Sequence, residues 1–196
     1  MLGACPSERP GYPPHVRPSP EELQAAAGRR VPDVVGPDLR VLFCGINPSL
    51  WSAAVGHHFA RPGNRFWKVL HGAGFTDRVL DPTEDDELLA AGLGVTNLVP
   101  RATAAAAELS ADELRRGGVR LARTVGRWRP RAVAVVGLQA YRTAFGRPRA
   151  GIGRQEDLAG AQVWALPNPS GLQARYGLDE MVAAYAELRR ATEPAG

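Results

Sequence analysis

Four short, mostly apolar runs set the frame for this chain: Arg40–Ile46 (RVLFCGI), Gly94–Val99 (GVTNLV), Ala132–Gly137 (AVAVVG) and Gln162–Leu166 (QVWAL). Runs of this length and make-up read as strands buried on both faces. Helical patterns separate them. One runs from Asn64 to about Ala73 with Phe66, Trp67, Val69 and Leu70, and a shorter one covers Glu84–Ala91. A third opens on the capping box of Ser110 with Glu113 and continues to about Trp128, and two more cover Leu138–Phe145 and Asp179–Ala191. Strands joined through helices pair in parallel, so the expected fold class is α/β: three layers, α/β/α, around a central, mainly parallel sheet.

Ahead of the first strand the pattern changes. Six prolines fall within the first twenty residues, which discourages regular structure. One short helix is expected there, with Ser19 as N-cap and Pro20 at the first helical position. Residues 1–38 are therefore expected to form a proline-rich, partly disordered extension, and residues 39–196 the folded domain. A hydrophobic fraction of 44% is enough for a core. No apolar run approaches the roughly 18 residues of a membrane helix. The N-terminus lacks the basic start and apolar stretch of a secretory signal, so a cytoplasmic protein is expected. Cys5 and Cys44 alone cannot hold an iron–sulfur cluster or a structural zinc, so no metal is expected.

The net charge is +4, and Lys68 is the only lysine among many arginines. Between Val41 and Phe75 the chain has Arg61, Arg65 and Lys68 and no carboxylate. A basic surface suits phosphate partners, although arginine-rich solvated helices are common without them.

In parallel sheets ligands bind beyond the C-terminal ends of the strands. There the sequence places Asn47-Pro48-Ser49 after the first strand, Asn97 near the end of the second, and Asn168-Pro169-Ser170 after the last. One Asn-Pro-Ser is ordinary turn chemistry. Two at the same sheet edge, with the loop Gly56–Trp67 between them in the chain, point to a site. No glycine-rich dinucleotide or P-loop pattern follows a strand.

Gly45–Leu50, Phe59–Lys68, Gly94–Val99 and Asn168–Leu172 together resemble, in order and spacing, the mismatch-specific uracil-DNA glycosylases. These sit with the thymine-DNA glycosylases in the uracil-DNA glycosylase superfamily. The resemblance spans roughly Asp38 to Leu188. It implies that a base is flipped out of duplex DNA and its N-glycosidic bond hydrolysed, which needs a positioned water, donors for the base oxygens, a stacking surface and a filler for the vacated space.

By that resemblance Asn47 holds the water near the sugar C1′, orienting it without the basicity of a carboxylate. Phe59 stacks on the base, and the backbone N–H groups of Ile46 and Phe59 meet its carbonyls. Asn97 and Asn168 belong to the base pocket. The slot of Asn97 holds lysine in some mismatch-specific uracil enzymes and asparagine in thymine-type ones. Leu172 is the wedge that enters the base stack, and the Gly171 carbonyl reads the opposite guanine. Family members often carry Ser-Arg directly after this leucine. Here Gln173-Ala174-Arg175 follows, which shifts the opposite-strand arginine by one place. Ser52, Arg61, Arg65 and Ser170 are candidate phosphate contacts. His57 and His58 read as solvated loop residues without a role.

The expected activity is a monofunctional, metal-independent and cofactor-free DNA N-glycosylase, a monomer acting on double-stranded DNA with uracil, or a related pyrimidine, opposite guanine. Three alternatives stay open: an efficient uracil enzyme that also takes single strands, a catalytically weak damaged-DNA-binding module of the same fold, and a flavodoxin-like small-molecule binder.

Overall fold

The structure, a computed structural model, describes residues 17–170 and 175–193. Five strands form one sheet: β1 (Val41–Gly45), β2 (Leu93–Asn97), β3 (Ala132–Val136), β4 (Gly153–Leu158) and β5 (Ala161–Leu166). Their spatial order is β2-β1-β3-β5-β4, parallel throughout except that β4 runs antiparallel to β5. The expected α/β architecture with a mainly parallel sheet is what the chain forms.

Alternate residues of the central strands face opposite layers. Val41 and Phe43 of β1 join Ala132, Ala134 and Val136 of β3 in one core, covered by α3 (Phe66–Gly72) and α6 (Leu178–Thr192). Leu42, Cys44, Val133 and Val135 face the other core, covered by α4 (Ala111–Trp128) and α5 (Leu138–Phe145). Both faces of β1 and β3 are buried, which is why these strands read as continuous apolar runs. Among the described residues no helix is long and apolar enough to cross a membrane.

The chain leaves β1 toward β2 on one side and later returns to β3 on the other. The β1/β3 boundary is thus the point where the winding reverses, and a crevice opens there beyond the strand ends.

Several local expectations are corrected. Strand β4 (GRQEDL) is an addition to the expected strands: a polar edge strand whose sequence carries no apolar alternation. A short helix, α2 (Leu50–Val55), follows the first Asn-Pro-Ser, its Ser49 side chain accepting from the Ser52 N–H. Residues 82–91 form a 3₁₀ helix rather than an α-helix, capped by Asp81 and Glu84. The helix expected from Asn64 begins at Phe66, because the Asn64 side chain accepts from the Phe66 N–H.

Residues 17–38, the described part of the expected extension, touch the sheet and the loop after β2. Beyond α1 (Pro20–Ala25), Val34 bridges to Val95 of β2, and the Ala102 N–H donates to the Arg29 carbonyl. Ala26, Val31 and Val34 are buried. Sparse hydrophobic residues among the prolines were enough to pin this segment. Residues 1–16, with Cys5, lie outside the described residues.

Candidate active site

At the open end of the sheet, a cavity of about 250 Å³ is bounded by the loops after β1, β2 and β5. It gathers Ile46, Asn47, Ser52, Phe59, Arg61, Asn97, Asn168 and Ser170, all expected from the sequence. Arg65 and Arg175 are not in its wall, and Gly171 and Leu172 lie outside the described residues.

Asn47 is the most tightly determined of these side chains. Its Nδ2 lies 2.7 Å from Thr103 Oγ1, 3.1 Å from the Arg101 carbonyl and 3.2 Å from the Pro48 carbonyl. The Thr103 hydroxyl donates its one proton to the Ala105 carbonyl, so toward Asn47 it can only accept. Three acceptors around one amide nitrogen fix its orientation, since the flipped amide would turn an oxygen onto two carbonyls. The side-chain oxygen Oδ1 is left for the cavity that Asn47 lines. Among the described residues no Asp or Glu lines that cavity. An amide oxygen can orient a water here, but no carboxylate is present to take its proton.

The loop holding Asn47 from behind is latched in turn. Arg101 makes two hydrogen bonds to Glu113 at the start of α4, at 2.6 and 3.1 Å. The Arg101 bonds, with the Ser110 backbone N–H next, hold the Glu113 carboxyl at about 2, below its ordinary 4.5. A depressed carboxyl contributes its stability above the unfolded value and loses it as pH falls through the folded one. Protection of the 101–109 amides against hydrogen exchange should persist above pH 4.5 and drop between 4.5 and about 2. Glu113→Gln should show no such step; an unchanged step in that variant would mean the latch lies elsewhere.

Phe59 adopts a positive φ of 52°, unusual for a bulky residue. Its ring stacks on Phe66 at 3.9 Å between centroids and also lines the cavity, so it is both core and wall. A Cβ on Gly45 would stand 2.5 Å from Asn97 Oδ1 and 3.3 Å from Phe59 Cζ. Only glycine at the end of β1 lets both side chains close over it.

The histidine pair is a correction. Both rings are buried, His58 with 2% exposure. His58 Nε2 lies 2.9 Å from the Pro32 carbonyl and must donate to it, which leaves Nδ1 as acceptor for the Asn97 amide at 3.3 Å. The fully buried Asp85 carboxylate accepts from the His58 backbone N–H at 3.3 Å and lies 3.2 Å from His57 Nδ1. Asn97 thus stands at the end of a chain of hydrogen bonds that starts in the segment ahead of β1.

The remaining candidates divide. Ser52 is buried, and its hydroxyl accepts from the Ala60 N–H and from Ser49, bracing the cavity wall. Asn168 closes its own turn by accepting from the Ser170 N–H at 3.0 Å. Arg61 is exposed at the cavity mouth. Arg65 is half-buried; its N–H donates to the Pro169 carbonyl and its guanidinium to the Tyr176 carbonyl at 2.9 Å. Arg175 lies with its guanidinium 5.8 Å from the Tyr176 ring centre. Burial pushes the Cys44 thiol up, so it is no nucleophile. Among the described residues no cluster of three His, Cys, Asp or Glu could hold a metal ion.

Sequence reasoning missed Thr103, His58, Asp85 and the Ala104–Ala107 wall. A signal existed for Thr103, since it follows the β2 strand end at the same sheet edge as Asn47. None existed for Asp85, one of six carboxylates in an acidic stretch.

A family model for the uracil DNA glycosylase superfamily matches residues 32–189. The chain belongs to that superfamily. The match starts ahead of β1, in the segment that supplies Pro32 and Val34 to the fold. A solution NMR structure from Methanosarcina acetivorans, described as a candidate uracil DNA glycosylase, is similar at 19% identity with a TM-score of 0.55, covering 83% of this chain and 98% of that one. At that identity the likeness speaks for the fold alone. Membership in the uracil DNA glycosylase superfamily makes DNA the substrate class and hydrolysis of the N-glycosidic bond the reaction class.

Proposed function

We propose that the chain excises uracil, and related pyrimidines of comparable shape, mispaired with guanine in double-stranded DNA, leaving an intact abasic strand. The orientation of Asn47 carries this reading: its two amide protons are shared among Thr103 and two carbonyls, so its oxygen is offered to the cavity. A water held by that oxygen stays neutral until the bond to the base has largely broken. Such a site depends on a good leaving group and is slow, as suits a rare lesion. Phe59 supplies the stacking face, a contact worth about 1–3 kcal/mol. Asn97, held by His58, meets the pyrimidine edge, and Asn168 and the Ile46 backbone complete the pocket.

Leu172 acts as the wedge that offsets part of the unstacking cost, with Gly171 and Arg175 toward the opposite strand. Arg61 and Ser170, at the cavity, contact phosphates. Arg65 serves this surface by tying Pro169 to Tyr176. The chain works as a cytoplasmic monomer without metal or cofactor.

One cleavage panel tests the base range: uracil, thymine and ethenocytosine, each opposite guanine or adenine. Excision of uracil opposite guanine should be fastest, and equal rates opposite guanine and adenine would remove the mismatch reading. A binding module without turnover would release no base from any of them.

Strand-nicking glycosylases form a Schiff base through an amine, usually lysine. Lys68, the sole lysine, is exposed on α3 and lines no part of the cavity. Borohydride added during turnover should trap no covalent enzyme–DNA species. An adduct that disappears in Lys68→Ala would overturn the hydrolytic mechanism.

A further inference from the structure

A second depression, of about 460 Å³, adjoins the base cavity and shares Ser49, Arg61 and Ala104 with it. Its walls are Leu23 of α1, Leu50 and the half-buried Trp51 of α2, and Pro62. This groove is apolar and firmly floored, because Leu23 and Leu50 pack on the buried cluster of Ala26, Val31, Ala53, Ala54 and Ala102. Among the described residues no Asp or Glu lines it, and Glu21 and Glu22 of α1 accept from Ser19 at that helix's N-cap. Arg61, exposed on the rim common to the two depressions, makes no ion pair among the described residues.

In a nucleic acid, consecutive nucleosides are joined by one phosphate. Two neighbouring cavities with a cation on their common rim fit that repeat, one nucleoside in each and the phosphodiester at Arg61. An aromatic wall beside a cation is also how bases of single strands are held, since every base has a face to stack. We propose that the groove takes the unstacked base of the nucleotide next to the flipped one, with Trp51 as its stacking face. This rests on the DNA glycosylase reading of the adjoining cavity. In a duplex the neighbour must leave the stack at a cost of a few kcal/mol, whereas in a single strand that cost is small. The groove therefore adds an activity: excision from single-stranded or frayed DNA.

The test uses the full chain in single-turnover excision from single-stranded oligonucleotides. The 5′ or the 3′ neighbour of the uracil is thymine or an abasic tetrahydrofuran. Removing the base from one of the two neighbours should slow the wild type about tenfold, the order of one stacking contact. Trp51→Ala should lose about as much on the intact strand and nothing further on the abasic-neighbour strand, while its rate on duplex uracil opposite guanine stays within about threefold. Trp51→Phe, which keeps a stacking face, should retain the neighbour dependence.

A wild type indifferent to both neighbours, or inactive on single strands while active on the duplex, overturns the groove assignment alone. Losses by Trp51→Ala that are equal on every substrate overturn it too, and mark Trp51 as a structural residue of α2. No excision from any uracil substrate removes the glycosylase reading and the groove with it.

Discussion

Asn47→Ala lowers single-turnover excision of uracil on the order of 10²–10³-fold, while affinity for abasic product DNA changes little. The asymmetry follows from what the side chain touches. Its nitrogen is held by Thr103, Arg101 and Pro48 inside the protein, which leaves its oxygen for the cavity that Asn47 lines. Losing that oxygen removes a water from its line of attack but few contacts made by bound DNA. Asn47→Asp does not restore the rate, because a second carboxylate oxygen would face the Arg101 and Pro48 carbonyls. Excision rates within threefold of wild type for Asn47→Ala would end the assignment.

Asp85→Ala has the largest expected effect on the fold, although Asp85 lines no part of the cavity. Its carboxylate is fully buried beneath the His57-His58 turn and accepts from the His58 N–H and His57 Nδ1. Stranding buried donors costs about 1–3 kcal/mol for each group. A loss of about 3 kcal/mol lowers Tm by roughly 6–12 °C in a chain of this size. Excision falls as well, because the same turn sets the positive φ of Phe59 and the His58 ring that holds Asn97. Asp85→Asn keeps an acceptor and should lose less on both counts. A Tm change under about 2 °C for Asp85→Ala would show that the turn is held by other contacts.

The two variants mark two ways in which residues served this site. Asn47 was legible because its setting is local: a buried strand, an Asn-Pro turn that ends it, and a sheet edge where ligands bind. Asn97 and Asn168 were legible for the same reason. Phe59 follows from the resemblance as a stacking surface, and its ring both packs on Phe66 and lines the cavity.

The layers were legible in the sequence, since short, continuously apolar runs in β1 and β3, buried on both faces, and helical spacing between strands admit few other arrangements. The sequence also determined which strand ends carry polar residues. Tertiary structure alone decided how those residues are held. The His58 tautomer depends on the Pro32 carbonyl, 26 residues away in the chain, and the Asn47 orientation on Thr103, 56 residues away. It also decided that Val34 pairs with Val95 of β2 and that the polar run Gly153–Leu158 is a strand. An edge strand is held by hydrogen bonds to its neighbour, and its charged side chains leave no trace of that pairing in their pattern. A hydrogen bond across the fold joins groups whose separation in sequence is unconstrained, so no spacing announces it; periodicity records only which side of an element meets the core.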